Sequence, residues 1–209
     1  MGKERTVHDT LRHLYTAGLF SELIVTADTH VQKNPTDLEA WNYLAAGLLR
    51  AGHTEAALTV TTRIVNTNPL SSRAHLNHGV VLAKLGKLDD AETCLNVARS
   101  ITPTDEQVLN NIGALNIYQG KKDEAITTLN ALLSEKPSYQ SAWSNLGIAY
   151  TFKEDLLNAI VCFKNATEIQ SKNHRVNSLR AESFLGLDRY EDALSYYLSN
   201  FNDDTYSYN

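Results

Sequence analysis

The residues that could do chemistry are few and evenly spaced. Asn77, Asn111 and Asn145 stand 34 residues apart, inside His-Leu-Asn-His-Gly, Leu-Asn-Asn-Ile-Gly and Trp-Ser-Asn-Leu-Gly. A carboxamide offers a donor and an acceptor together, so a row of them can hold a peptide backbone without reading its side chains. Asn42 and Asn110, one position earlier in their copies, can add to the row. The same groups can instead hydrogen-bond helix to helix, and for any one asparagine that alternative stays open. His75 and His78 lie three apart, with Cys94 in the same copy, and imidazole and thiolate suit zinc. Both histidines, however, occupy places where other copies carry Trp and Leu, which assigns them to packing, so no metal or other cofactor is expected. No phosphate loop, dinucleotide fingerprint, zinc-protease motif or nucleophile elbow occurs, and no catalytic residue is expected. Asn165-Ala-Thr fits a glycosylation acceptor, but its mid-helix place reads as coincidence.

The elements that position these side chains are repeated. Pro35, Pro69, Pro103 and Pro137 each follow the one before by 34 residues. Six units fit without insertion: 4–37, 38–71, 72–105, 106–139, 140–173 and 174–207. Each reads as helix, short turn, helix, which predicts twelve antiparallel-paired helices. Thr36…Glu39 and Thr104…Gln107 have capping-box spacing. Gly18, Gly52, Gly86 and Gly120 close first helices, and acidic residues such as Glu55, Asp89, Asp123 and Glu124 open second helices, where negative charge is favourable. Small residues at position eight (Ala45, Gly79, Gly113, Gly147, Ala181) are expected to face alanines at position twenty (Ala57, Ala91, Ala125, Ala159, Ala193). In the first unit Leu11 and Leu23 take those two places, which predicts a looser or differently angled contact there.

Composition narrows the class. The 209 residues could form one or two domains, but the period argues for one continuous solenoid over 1–209. A net charge of −5 argues against nucleic acid as a partner. Cys94 and Cys162 recur at one place two units apart, too far for a disulfide, and read as reduced packing residues. The charged start has no apolar core of a signal peptide, and no apolar run approaches a membrane span. A cytoplasmic protein is expected.

The stretch Gln140–Ser171 is the fullest copy, with Trp143, Leu146, Gly147, Tyr150, Ala159, Phe163 and Ala166 in two helical stripes. A 34-residue period with this Trp-Leu-Gly-Tyr…Ala…Phe…Pro pattern resembles the tetratricopeptide repeat family. The resemblance implies an all-α, right-handed superhelical solenoid of about six helix-turn-helix repeats, with first helices lining a concave groove. It places positions two, five, six, nine, twelve and thirteen in that groove. Leaving out position six, Arg5, Arg12, Arg50, Arg73, Lys84 and Arg175 face it against Glu39 and Glu182, with Ala46, Leu49, Leu76, Val80, Ala114, Ile117, Tyr118, Ile148 and Phe152 as an apolar floor. Such a face suits an extended, acidic and hydrophobic peptide, or else is the mixed solvent face of any solenoid. The asparagine row resembles the ladder in the repeat superhelix of the O-linked N-acetylglucosamine transferases. The family's dicarboxylate clamp is not matched, since position five holds His8, Asn42, Leu76, Asn110, Ser144 and Ser178.

The expected function is therefore a non-enzymatic scaffold or adaptor that binds a protein or peptide, without nucleic acid or a membrane span. Two alternatives remain: the recognition region of a larger enzyme such as a glycosyltransferase, and a scaffold that self-assembles into homo-oligomers through its terminal repeats. Tyr196, Tyr197, Phe201, Tyr206 and Tyr208 interleave with Asp203 and Asp204, so residues 200–209 are read either as a segment that docks on a second molecule or as a disordered end or cap.

Overall fold

Proline lacks an N–H and crowds the residue before it, so a helix must end just ahead of it. The computed structural model describes residues 6–169 and 174–195 and follows that rule. In its N-terminal half, Met1–Pro103, the helices are α1 (Val7–Thr16), α2 (Phe20–Lys33), α3 (Leu38–Arg50), α4 (Thr54–Thr67), α5 (Ser72–Lys84) and α6 (Leu88–Ile101). The C-terminal half, Thr104–Asn209, holds α7 (Glu106–Tyr118), α8 (Lys122–Glu135), α9 (Gln140–Phe152), α10 (Leu156–Ile169) and α11 (His174–Leu185). A twelfth helix opens at 190–195. Helices α2, α4, α6 and α8 each stop two residues before a proline. The residue between leaves the helical region, with φ from −128° to −140° and ψ from 69° to 81°. Within each half, helices pack on their sequence neighbours, and first helices also pack on first helices: α1 on α3, α3 on α5, α7 on α9, α9 on α11.

The helix starts correct one expectation. The caps are Asp37, Ser71 and Asp105, whose side chains accept from the backbone N–H groups of Ala40, Ala74 and Val108. Thr36 and Thr104 fall one residue too early. Both types cap well, so the spacing alone could not choose between neighbours. A reciprocal capping box does form at Thr6 and Asp9.

Four first helices are closed by glycines with φ between 73° and 86°. Glu154 and Asp188 stand at the equivalent place in the last two units and adopt the same left-handed conformation, at φ 63° and 57°. A side chain there is strained, because Cβ crowds the following carbonyl. Glu154→Gly is expected to raise stability by about 0.5–1 kcal/mol, net of the entropy glycine adds to the unfolded chain; chemical denaturation checks this.

The close approach inside each unit differs from expectation. An added Cβ on Gly79, Gly113 or Gly147 would lie 3.0, 2.6 or 2.5 Å from Leu95, Leu129 or Phe163. Position eight therefore makes room for a large residue at position twenty-four, not chiefly for the alanine at twenty. Helical side chains lean back toward the N-terminus, which brings the later residue over the glycine. The first unit reverses the sizes, with Leu11 at eight and Ala27 at twenty-four, both fully buried. Leu23, at position twenty, is likewise fully buried. Its bulk is admitted by Gly47 of the next unit, where an added Cβ would lie 3.1 Å from Leu23 Cδ2. The contact of the first unit is thus size-swapped and filled, not loose.

Cys94 is half-buried and Cys162 buried, and both are free thiols. Burial pushes both thiols up, that of Cys162 to about 12, so each stays protonated and unreactive near neutrality.

Candidate functional site

In the N-terminal half, three successive first helices converge on an open pocket of about 150 Å³. Tyr15 of α1, Ala46, Leu49 and Arg50 of α3, and Asn77 and Val80 of α5 line it. Ala46, Leu49, Arg50, Asn77 and Val80 are among the residues assigned to the groove from sequence. The walls are mostly apolar, and the polar groups among the lining residues are the Asn77 carboxamide, the Arg50 guanidinium and the hydroxyls of Tyr15 and Thr61. The Arg50 guanidinium lies over the Phe20 ring, 5.2 Å from its centroid, so a cation is held at the edge of the apolar floor. Arg73 and Lys84, near the two ends of α5, are exposed. Leu76 is corrected: it is 4% exposed and belongs to the core, not to a floor.

In the C-terminal half, Tyr118 of α7 and Phe152 of α9 occupy the same position in consecutive units and are 74% and 56% exposed. Aromatic rings left in water at matching places are the kind of anchor that interfaces bury. Asn110, Asn111 and Asn145 lie on the same two helices, all half-buried.

The carboxamides are organised as pairs. Asn77 Nδ2 donates to Asn42 Oδ1 at 2.7 Å, and Asn145 Nδ2 donates to Asn110 Oδ1 at 2.9 Å. Each rung therefore joins position six of one unit to position five of the unit before. Asn42 in turn donates to Leu38 O. For Asn111 the residue at position five one unit earlier is Leu76, which has no acceptor, and Asn111 Nδ2 turns to Gln107 O of its own helix. Each rung uses one N–H of the position-six carboxamide, which carries a second N–H and an acceptor oxygen besides.

His75 and His78 do not converge on Cys94's thiol as ligands. His75 Nε2 donates to Pro69 O at 2.8 Å, the bond that the indole N–H groups of Trp41 and Trp143 make to Pro35 O and Pro137 O. His78 Nδ1 lies 2.9 Å from the Thr61 hydroxyl. Burial, aided by the neighbouring His75 and opposed by Asp90, holds His78 below its ordinary value of 6.5. The unfolded chain then takes up this proton first as acid is added, so stability falls as pH drops below about 6.5 through the lowered folded value. His78→Leu, which places there the residue that Leu44 and Leu146 supply in other units, is expected to flatten that slope in melting curves taken between pH 7.5 and 5.

One cluster escaped the sequence reading. His8 of α1 and His30 of α2 both place Nε2 2.8 Å from Oδ2 of Asp37, the cap of α3. Burial alone would raise the Asp37 pKa, but hydrogen bonds from Ala40, His30 and His8 outweigh it and hold the carboxyl low. Only the presence of His8, His30 and Asp37 within the first unit could have signalled it. Arg5 and residues 200–209, with Tyr196 and Tyr197, lie outside the described residues.

No helix among the described residues is long and apolar enough to cross a membrane. No curated protein sequence matches the chain. Solved structures match its fold. TTC0263, a thermophilic tetratricopeptide repeat protein of Thermus thermophilus, shares 21% identity with a TM-score of 0.78, covering 86% of this chain and 97% of that one. PilF of Pseudomonas aeruginosa shares 22% at 0.70, covering 79% and 75%. MamA of Desulfovibrio magneticus RS-1 shares 18% at 0.67, covering 83% and 98%. Family models described as tetratricopeptide repeat match residues 44–106, 106–139 and 140–173. These matches support a protein-interaction scaffold with an all-α repeat fold. With paired helices repeating every 34 residues and the family's models running from 44 to 173, the chain belongs to the tetratricopeptide repeat family.

Proposed function

We propose that the chain is a non-enzymatic scaffold that holds an extended protein segment, acidic and apolar in composition, against its first helices. The observation that carries this reading is the convergence of Leu49, Arg50, Asn77 and Val80 on one open pocket. Its apolar floor takes a side chain, the Arg50 guanidinium favours a carboxylate beside it, and the Asn77 carboxamide offers its oxygen to a backbone N–H. Arg12, Arg73 and Lys84 extend the positive character along the same helices. In the C-terminal half Tyr118 and Phe152 supply apolar anchors, and the Asn110–Asn145 rung supplies the polar grip.

Selection from a random-peptide display library tests the proposal. Expected winners combine Asp or Glu with large apolar residues, and their affinity falls at least about tenfold against Arg50→Glu and weakens with added salt. Tyr118→Ser/Phe152→Ser is expected to weaken peptides that bind the C-terminal half. Failure to enrich any class of peptide, or peptides that bind the Arg50→Glu and Asn77→Ala variants equally well, would overturn the reading.

A further inference from the structure

The geometry points to a binding site for a divalent transition metal ion, zinc foremost, formed by His8, His30 and Asp37. Three ligands come from three elements: α1, the last turn of α2, and the cap of α3. Their ligand atoms all lie within 4.8 Å of one another. Two imidazoles aim at a single carboxylate oxygen, 2.8 Å away in each case. In this arrangement each ring donates an Nε2–H to Asp37 Oδ2. In the other neutral tautomer the proton sits on Nδ1, and both Nε2 lone pairs point into the space the two protons fill.

A zinc ion holds nitrogen at about 2.0–2.1 Å and carboxylate oxygen at about 2.0–2.2 Å. Tetrahedral ligands are then roughly 3.4 Å apart, so each ring has to draw back by about half an ångström. The site is half-buried, with side-chain exposures of 36%, 21% and 19% for His8, His30 and Asp37, which leaves a fourth position for water. Two neutral imidazoles and one carboxylate select a first-row transition ion over magnesium or calcium.

Holding the helix start does not require the histidines. Asp37 caps α3 through Oδ1, which accepts from Ala40 N, and leaves Oδ2 for the cluster. Ser71 and Asp105 cap α5 and α7 through their own side chains in the same way. His30 also stands at position twenty-seven, where the next four units bury Ile64, Ala98, Leu132 and Ala166. An imidazole has replaced an apolar packing residue in the unit that ends in an aspartate facing a second imidazole. Around it, Asp37 Oδ1 is fixed by the backbone, and the Asn34 carboxamide lies 3.4 Å from His30 Nδ1, placed to orient the ring. Because the ligands span two helices and the start of a third, a bound ion would clip the first repeat to the second.

The test uses the full, untagged chain stripped with EDTA. Zn²⁺ is titrated against a chromophoric chelator, and Co²⁺ is added as a spectroscopic probe. One ion per chain is expected, with d–d absorption bands of a low-coordinate nitrogen and oxygen site and a zinc-dependent rise in melting temperature. Asp37→Asn keeps a good helix cap and His30→Gln keeps a donor, so both fold without metal, as circular dichroism in EDTA will record. Each is expected to weaken Zn²⁺ at least about a hundredfold, beyond the loss of an outer partner, and to abolish the melting shift. His53→Gln, at an exposed histidine of the same half, is expected to change neither. Zinc uptake by the wild type no tighter than by Asp37→Asn and His30→Gln would overturn the site.

Discussion

Gly147→Ala is expected to lower stability by about 1–3 kcal/mol, although a glycine-to-alanine change normally strengthens a helix. Alanine is the better helix former by roughly 1 kcal/mol, so an unobstructed site would be stabilised. Here the new methyl would meet Phe163 Cε1 at 2.5 Å and Cδ1 at 2.7 Å. The Phe163 ring is fully buried and cannot swing into solvent. Phe163→Val alone leaves a void and is expected to lose somewhat less than the ~3–5 kcal/mol typical of truncating a buried phenylalanine to alanine. The double variant approaches the size pairing of Ala45 with Thr61, which hold the same two positions in the second unit. Its loss is expected to fall short of the sum by about 0.5–3 kcal/mol. Equilibrium urea denaturation of the four proteins reads the coupling. Strict additivity would mean that positions eight and twenty-four do not share one volume.

Leu23→Ala is expected to cost about 2–5 kcal/mol, since a fully buried leucine leaves a cavity that helices already in contact fill poorly. Its partner is Gly47 on α3, whose bare backbone lies under the Leu23 and Ile24 side chains. The junction between the second and third units carries the opposite order, with Ala57 and Val81 at these two places, both buried. Leu23→Ala/Gly47→Val imposes that order on the first junction, and is expected to regain a large part of the loss. Gly47→Val without the first change is expected to destabilise, because valine would be driven into Leu23. Melting curves followed by circular dichroism distinguish the rescue from a general gain in helix propensity, which would help Gly47→Val alone as well.

Much of this architecture could be read from spacing. The prolines marked the helix ends, since a missing N–H acts locally. The glycines at 18, 52, 86 and 120 marked the turns, since a positive φ is a backbone demand of the residue itself. What the spacing could not supply was the partner of each side chain. Thr36 and Asp37 are both good caps, and only the hydrogen bond to Ala40 separates them. Gly147 announced a close approach, but the approaching group depends on how Phe163 leans along α10. The asparagines at six were legible as a row, whereas their pairing with position five depends on the offset between neighbouring first helices. His8, His30 and Asp37 match no spacing motif, since the turns between three helices bring them together.

The bonds from position four to proline carbonyls have a consequence for how the protein comes apart. Trp41, His75 and Trp143 each stitch a first helix to the segment just before it. At the same place after Pro103 stands Leu109, which has no proton to give. A turn without this bond has one fewer hold against opening, so a protease is expected to nick near Thr104 before it reaches either neighbouring proline turn.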